Sequence, residues 1–203
     1  MSIQKFFEYL FRYIRQQSRG ISVEELLLMW LICIVVLHIF CMIYAGVKGR
    51  KVRVGREILL MLILGYACFG GQLTLFRRVA GSGGTIDTSL YFGSLMGNWY
   101  DQQQFFYSFL NVCFFVPWGF LWGLWRRKDE VWRRMIMVLG YSFLATSFIE
   151  VSQYLTSRGF FEVVDLITNV TGGIIGGVLS SIVIVITDKL CCSNKGEVEE
   201  NER

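Results

Sequence analysis

Five of the polar side chains within an apolar stretch between residues 148 and 177 are candidates for a functional site. Ionisable groups are costly at membrane depth, so their retention there indicates a functional site. Two neighbouring carboxyl groups in a low dielectric are rarely both ionised, an arrangement that suits acid–base chemistry or cation binding. Glu150 and Asp165 are therefore the candidate catalytic residues. The five polar residues are Glu150, Gln153, Arg158, Asp165 and Asn169.

The composition of the chain indicates an integral membrane protein. Apolar residues make up 54% of its 203 residues, more than a water-soluble domain of this size carries. Five apolar runs are each close to the ~20 residues that a helix needs to span a bilayer. Helices are the economical structure for such runs, because the membrane interior offers no water to the backbone. The sequence thus predicts an all-α, polytopic membrane bundle with spans at 23–47, 57–76, 104–125, 135–155 and 163–186.

The two ends of the chain differ from this apolar middle part. Residues 1–20 place apolar side chains on one helical face and charged side chains on the other, a pattern that predicts an amphipathic helix lying in the membrane surface. Residues 191–203 are rich in glutamate and are predicted to be an acidic mobile tail. The intervening residues, 21–190, are predicted to form one transmembrane domain.

Lys and Arg residues are concentrated in two predicted connections, 48–56 and 126–134. Basic loops usually stay on the cytoplasmic side, so both connections and the C-terminus are predicted to be cytoplasmic. The N-terminal helix would then lie outside in spite of its own basic residues, against the same preference. In this topology the third span begins outside, the fourth ends outside and the fifth begins outside. Their polar residues therefore lie in the outer half of the membrane.

These three spans contribute polar residues at similar depth. At about 1.5 Å per helical residue, Asn111, Glu150 and Asn169 lie on the order of 8 to 9 Å below the outer boundary. Asp165 is shallower and shares a helix face with Asn169, four residues on. Glu150 shares a face with Gln153, three residues on. One outer polar cluster is predicted.

Small residues repeat every four positions along the fifth span and allow close helix packing in lipid. Asp165 and Asn169 continue this stripe towards the exterior, so packing that buries the glycines also turns both polar groups inward. Self-association of the chain through Gly172 and Gly176 is a further option. In the third span, Pro117 removes one backbone hydrogen bond and is predicted to kink the helix. The predicted packing residues are Pro117, Gly172, Gly173, Gly176 and Gly177.

Three sequence elements occur in order on these spans, namely Asn111-x5-Pro117-x-Gly119, Glu150-x2-Gln153 and Asp165-x3-Asn169-x2-Gly172-Gly173. Together they resemble the VanZ-like family of membrane proteins, named for a protein associated with teicoplanin resistance, over roughly residues 105–181. The resemblance implies a link to reduced susceptibility to glycopeptide antibiotics, without an established reaction. Arg77 and Arg78 lie where many relatives carry an arginine.

The resemblance and the outer polar cluster together suggest a site at the outer leaflet of the bacterial cytoplasmic membrane. Lipid-tailed antibiotics act there on lipid-linked wall precursors. The site is expected to bind or process such a lipid-linked envelope component or the lipidated drug. The residues expected to contact the head group are Asn111, Gln153, Arg158 and Asn169. Among them, Arg158 would hold a phosphate or a carboxylate.

Other functions stay open from the sequence, and so does the question of enzymatic activity. A second hypothesis is binding without turnover, or lipid transport, although the inner halves of the spans offer few polar groups to line a path. In a purely structural alternative the polar residues join helices, each interhelical hydrogen bond contributing about 0.6 to 2 kcal/mol. Helix packing explains the two carboxyl groups poorly, because amides would pack at lower cost.

The sequence predicts no cofactor and no metal site. Its sole histidine, His38, lies inside the first span and is expected to hydrogen-bond between helices. The cysteines are expected to be reduced packing residues. The basic connections directly adjoin predicted spans, where they are expected to contact anionic membrane lipids, so nucleic acid is not an expected partner.

Overall fold

The computed structural model describes residues 3–48, 54–76, 81 and 84–201. Within these ranges the chain is predominantly helical, as predicted. A π-helix, Gln72–Phe76, continues α3, and two short strands, β1 (Ile86–Asp87) and β2 (Phe161–Glu162), pair in parallel. The α-helices are α1 (Ile3–Ser18), α2 (Val23–Lys48), α3 (Val54–Gly71), α4 (Trp99–Trp125), α5 (Val131–Leu155) and α6 (Val163–Asn201).

Five of these helices are long and apolar enough to cross a membrane, which confirms the predicted bundle. The candidate spans are Val23–Tyr44, Val54–Phe76, Trp99–Trp125, Val131–Leu155 and Val163–Leu190. The predicted connection at 48–56 falls largely outside the described residues, and so do Arg77 and Arg78. α6 continues through Asn201, so the described part of the acidic tail is helical, and its mobility stays a prediction.

α4 begins five residues before the predicted span because Asn98 caps it. The Asn98 side chain accepts hydrogen bonds from the backbone N–H groups of Tyr100 and Asp101, at 2.9 and 3.1 Å. Asp101 in turn accepts from the backbone N–H of Asn98 at 2.8 Å, which completes a capping box. Such a cap satisfies backbone donors that have no partner within the helix. The N-terminal end of α4 therefore extends beyond its apolar run.

α1 lies against the N-terminal part of α4. Tyr13 stacks on Phe106 with ring centroids 5.2 Å apart, and Phe6 approaches the same ring at 5.4 Å. The ring of Phe106 is completely buried. On its other face α1 exposes Phe7 and Phe11. The helix is thus amphipathic as predicted, and its position at a membrane surface stays a prediction.

α6 lies between α4 and α5 and uses a different glycine stripe for each neighbour. Gly172 and Gly176 lie against backbone carbonyl groups of α4, including that of Val116. Gly173 and Gly177 lie against α5 side chains. The missing side chains permit this close approach. Because α4 of the same chain occupies the first stripe, the untested self-association through it would require α4 to move away.

Pro117 lies inside α4, which is helical from Trp99 to Trp125. Its ring is exposed, on the side of α4 away from the buried Phe115 and Gly119. The glycines, in contrast, lie directly in the helix contacts. Any packing effect of Pro117 therefore acts through the backbone of α4.

α2 and α3 form an antiparallel pair beside this three-helix core. The Trp30 indole N–H donates to the Met61 carbonyl oxygen at 3.0 Å. His38 Nδ1 lies 2.6 Å from Glu57 Oε1, so the histidine hydrogen-bonds between helices as expected. Polar contacts of this kind hold membrane helices in register.

Candidate functional site

The polar residues predicted to cluster are distributed over α4, α5, α6 and the connection between α5 and α6. Asn111 Nδ2 donates a hydrogen bond of 2.7 Å to Asp165 Oδ1, which joins α4 to the first turn of α6. The predicted depths placed Asn111 level with Asn169 and below Asp165. The structure pairs it with Asp165 instead, because α4 begins at Trp99, five residues before the predicted span, and is offset along its axis relative to α6.

Glu150 is a residue of α5 and is 1% exposed. Its side chain lies against the beginning of α6. Its Oε2 accepts a hydrogen bond of 3.0 Å from the backbone N–H of Glu162, the residue that directly precedes α6. A carboxylate is favoured at a helix N-terminus, where unpaired N–H groups and the helix dipole carry partial positive charge. This contact gives a structural reason for a carboxylate at this position, which the sequence did not provide.

Gln153 and Arg158 both contact the π-helix that ends α3. Gln153 Nε2 donates to the Thr74 carbonyl oxygen at 3.2 Å, and Arg158 Nη1 donates to the Leu75 carbonyl oxygen at 3.1 Å. Carbonyl groups in the last turn of a helix lack partners within it, and cationic side chains stabilise them. The two residues thus position the C-terminal end of α3, and head-group binding by either stays a prediction.

Asn169 joins α6 to α5 below this level. Its Nδ2 donates to Thr146 Oγ1 at 2.9 Å, and the residue is 5% exposed. Its Oδ1 is buried without a hydrogen-bond partner among the described residues. A buried amide that bonds between helices stabilises their packing. The structure therefore gives Asn169 an interhelical contact, and its predicted contact with a head group is untested.

A cavity of about 700 Å³, here called the polar chamber, opens among α1, α3, α4 and the start of α6. Asn111 and Asp165 both line it, together with Glu162. Glu150, Gln153, Arg158 and Asn169 do not belong to its lining. The chamber thus brings together two of the predicted site residues and separates them from the other four.

Sequence reasoning missed further polar residues of the chamber. Gln104 and Tyr107 line it from α4. They precede Asn111 by seven and four residues and therefore share its helix face. This spacing was the available signal, but Gln104 stood at the boundary of the predicted span. The end of α1 contributes Gln16 and Ser18, which no spacing within the chain connects to α4.

The chamber is lined by both hydrogen-bonding and apolar groups. Its lining includes carboxylate, amide and phenol groups as well as the apolar side chains of Phe69, Leu110 and Phe114. Such a lining suits an amphiphilic ligand, since a few placed polar groups orient it and apolar side chains supply contact area. The two candidate catalytic carboxyl groups do not share this surface, because Asp165 faces the chamber and Glu150 bonds at the start of α6.

The fold and this chamber define a multi-pass helical membrane protein with a polar cavity among its helices. The family model VanZ/LLP1 matches residues 26–184, most of the chain. The chain therefore belongs to the VanZ/LLP1 family, as the resemblance implied. Membership links it in general terms to glycopeptide resistance. No curated protein and no solved structure matches the chain significantly.

Proposed function

We propose that this protein lowers susceptibility to teicoplanin and related lipoglycopeptides by holding an amphiphile in the polar chamber at the outer leaflet. The amphiphile is a lipid-linked envelope component or the lipidated drug itself. The observation that carries this proposal is the Asn111–Asp165 hydrogen bond at the wall of a cavity with a mixed polar and apolar lining.

The hydrogen bond orients the carboxyl group of Asp165 for recognition. Asn111 Nδ2 occupies one side of Oδ1, and a carboxylate oxygen accepts more than one hydrogen bond. Hydroxyl, amide and ammonium groups of an envelope head group are suitable donors. Tyr107 and Gln104, on the same wall, offer both donors and acceptors to the rest of that head group.

The charge distribution supports an outer position for the chamber. The basic connection 126–134 follows the opposite end of α4 from the chamber. Basic connections usually remain in the cytoplasm, so the chamber end of α4 is directed outside. This is the leaflet in which a lipid-tailed antibiotic and its wall-precursor target meet.

Binding without turnover agrees best with the positions of the two carboxyl groups. Acid–base catalysis by this pair of carboxyl groups needs both groups within reach of the reacting atoms. Asp165 meets this requirement for a ligand in the chamber, whereas Glu150 receives the backbone N–H of Glu162. Sequestration or exclusion of the ligand requires only Asp165 and its chamber neighbours.

A susceptibility assay tests this proposal with a matched pair of variants. The host is a sensitive Gram-positive strain that expresses wild type, Asp165→Asn or Asp188→Asn at equal membrane levels. The first substitution keeps an oxygen that can accept from Asn111 and removes the charge. The control makes the same change on the same helix at an exposed site paired with Arg127. We expect protection against teicoplanin from wild type and Asp188→Asn only. Equal protection by all three proteins would refute a role for the Asp165 charge.

A further inference from the structure

Beside the polar chamber, α3, α4 and α5 enclose a second cavity of about 400 Å³, here called the apolar groove. This volume lies within the roughly 300–1,000 Å³ that is usual for ligand pockets. Its walls are almost entirely aromatic and aliphatic. They include Leu75 from the π-helix, Phe114, Trp118 and Trp122 from α4, and Tyr141 and Phe148 from α5.

The groove and the chamber meet at two residues that line both, Tyr66 and Phe114. Their rings stack with centroids 5.3 Å apart, and the Tyr66 hydroxyl donates to the Phe114 carbonyl oxygen. One stacked pair therefore forms the boundary between the two cavities. A molecule with a polar head and an apolar chain would meet both environments on either side of this pair.

Two indole N–H groups beside the groove lack a hydrogen-bond acceptor among the described residues. Trp118 Nε1 and Trp122 Nε1 are buried and donate to no described group, although buried indole N–H groups usually donate to an acceptor. Phe148, on the rim, is 68% exposed, so the groove is open to the surroundings of the helices.

We propose that the apolar groove holds the hydrocarbon chain of an acylated amphiphile whose head group lies in the polar chamber, an assignment that rests on the function proposed above. The groove runs inward from Leu75 and Phe148 to Trp122 and Tyr141, the direction that a chain takes from an outer-leaflet head group. The bilayer interior is as apolar as the groove, so the preference of the hydrocarbon chain for the groove arises from close packing.

Photochemical labelling tests this assignment on the purified full-length protein in detergent. The probe is a palmitoyl phospholipid with a diazirine along its chain, added at low molar ratio, and labelled peptides are identified by mass spectrometry. Ala145 lines the groove, so Ala145→Phe fills it, and Ala145→Leu fills it partly. Leu139→Phe is the control on an exposed position of the same helix.

We expect saturable labelling of groove residues in wild type and in Leu139→Phe. Labelling falls about tenfold in Ala145→Phe, because overfilling a formed cavity is costly, and falls less in Ala145→Leu. The graded variant keeps the test valid if the larger side chain impairs folding. Equal labelling in all four proteins, or labelling spread along exposed helix faces, would overturn the assignment.

Asp165→Asn in the same assay separates this inference from the proposed function. If it abolishes saturable labelling while Ala145→Phe does not, the head-group site stands and the groove is not the chain site. If Ala145→Phe abolishes labelling while Asp165→Asn does not, the groove is supported as a chain site. The proposed role of Asp165 in the chamber then fails.

Discussion

Asn111 and Asp165 lie on two helices that run in the same direction across the bundle, and a hydrogen bond of 2.7 Å joins them. α5 must return the chain to the same end of the bundle before this bond forms. The contact therefore depends on the order of all three helices and on the offset of α4 relative to α6. It also lies on the wall of the polar chamber, so the residues that align these helices also shape the proposed site.

Removal of either partner of this hydrogen bond should destabilise the protein. For Asn111→Leu and Asp165→Leu we expect an interaction free energy of about 0.6 to 2 kcal/mol, the range for interhelical hydrogen bonds in membranes. Chemical unfolding of the two single variants and the double variant in detergent gives this value. A coupling of zero would show that the bond contributes nothing to alignment of α4 and α6.

Substitution of Glu150 should loosen the start of α6. Glu150→Gln keeps an acceptor for the Glu162 N–H and removes the charge at the helix N-terminus, which is worth about 0.3–2 kcal/mol. Hydrogen exchange in the first turn of α6 should accelerate, whereas Glu130→Gln, an exposed control, should not change it. Loss of antibiotic protection without faster hydrogen exchange would instead indicate that the Glu150 carboxyl group acts in the protective function directly and not through the start of α6.

The glycines of α6 should differ sharply from Gly140 of α5. A methyl group at Gly176 would overlap the Val116 carbonyl oxygen, while one at Gly140 would meet open space. Gly176→Ala should therefore cost about 1–3 kcal/mol through overpacking. Gly140→Ala should be neutral or stabilising by up to about 1 kcal/mol, because alanine favours helix. Thermal unfolding of both variants measures the difference, and similar melting temperatures would contradict the close contact of α4 with α6.

Arg134 should be essential for the connection between α4 and α5. It is 3% exposed and donates to the carbonyl oxygens of Arg127 and Asp129 at 3.1 and 2.9 Å, and to Ser181 Oγ at 3.1 Å. Arg134→Met leaves these carbonyl groups without their donor, at about 1–3 kcal/mol. The neighbouring Arg133 is exposed, so Arg133→Met should stay within about 0.5 kcal/mol of wild type. Limited proteolysis of the connection reports the effect, and equal cleavage of both variants would disprove it.

The spans could be predicted from the sequence because hydrophobic length determines them almost alone. The start of α4 could not, since Asn98 caps that helix outside the apolar run. Helical spacing also indicated that Asp165 and Asn169 face inward. Spacing does not reveal the partner of each side chain, which depends on helix rotation and offset. Thr146 for Asn169 and the Glu162 N–H for Glu150 therefore emerged only from the structure.

The chamber residues were only partly predictable for the same reason. Asn111 and Asp165 belong to the family elements on α4 and α6. Gln16 and Ser18 reach the chamber only because aromatic contacts hold α1 against Phe106 of α4. A contact between the first helix and the fourth leaves no periodic signal in one sequence.

Site-specific photocrosslinking in living cells tests the central claim most directly. p-Benzoylphenylalanine replaces either Tyr107, which lines the polar chamber, or Tyr154, which is near the C-terminal end of α5 and does not line the chamber. The account predicts that position 107 captures a defined envelope amphiphile or the lipidated drug, in amounts that Asp165→Asn reduces, while position 154 captures bulk phospholipid. The same products at both positions, unaffected by Asp165→Asn, would contradict the existence of a binding site in the chamber.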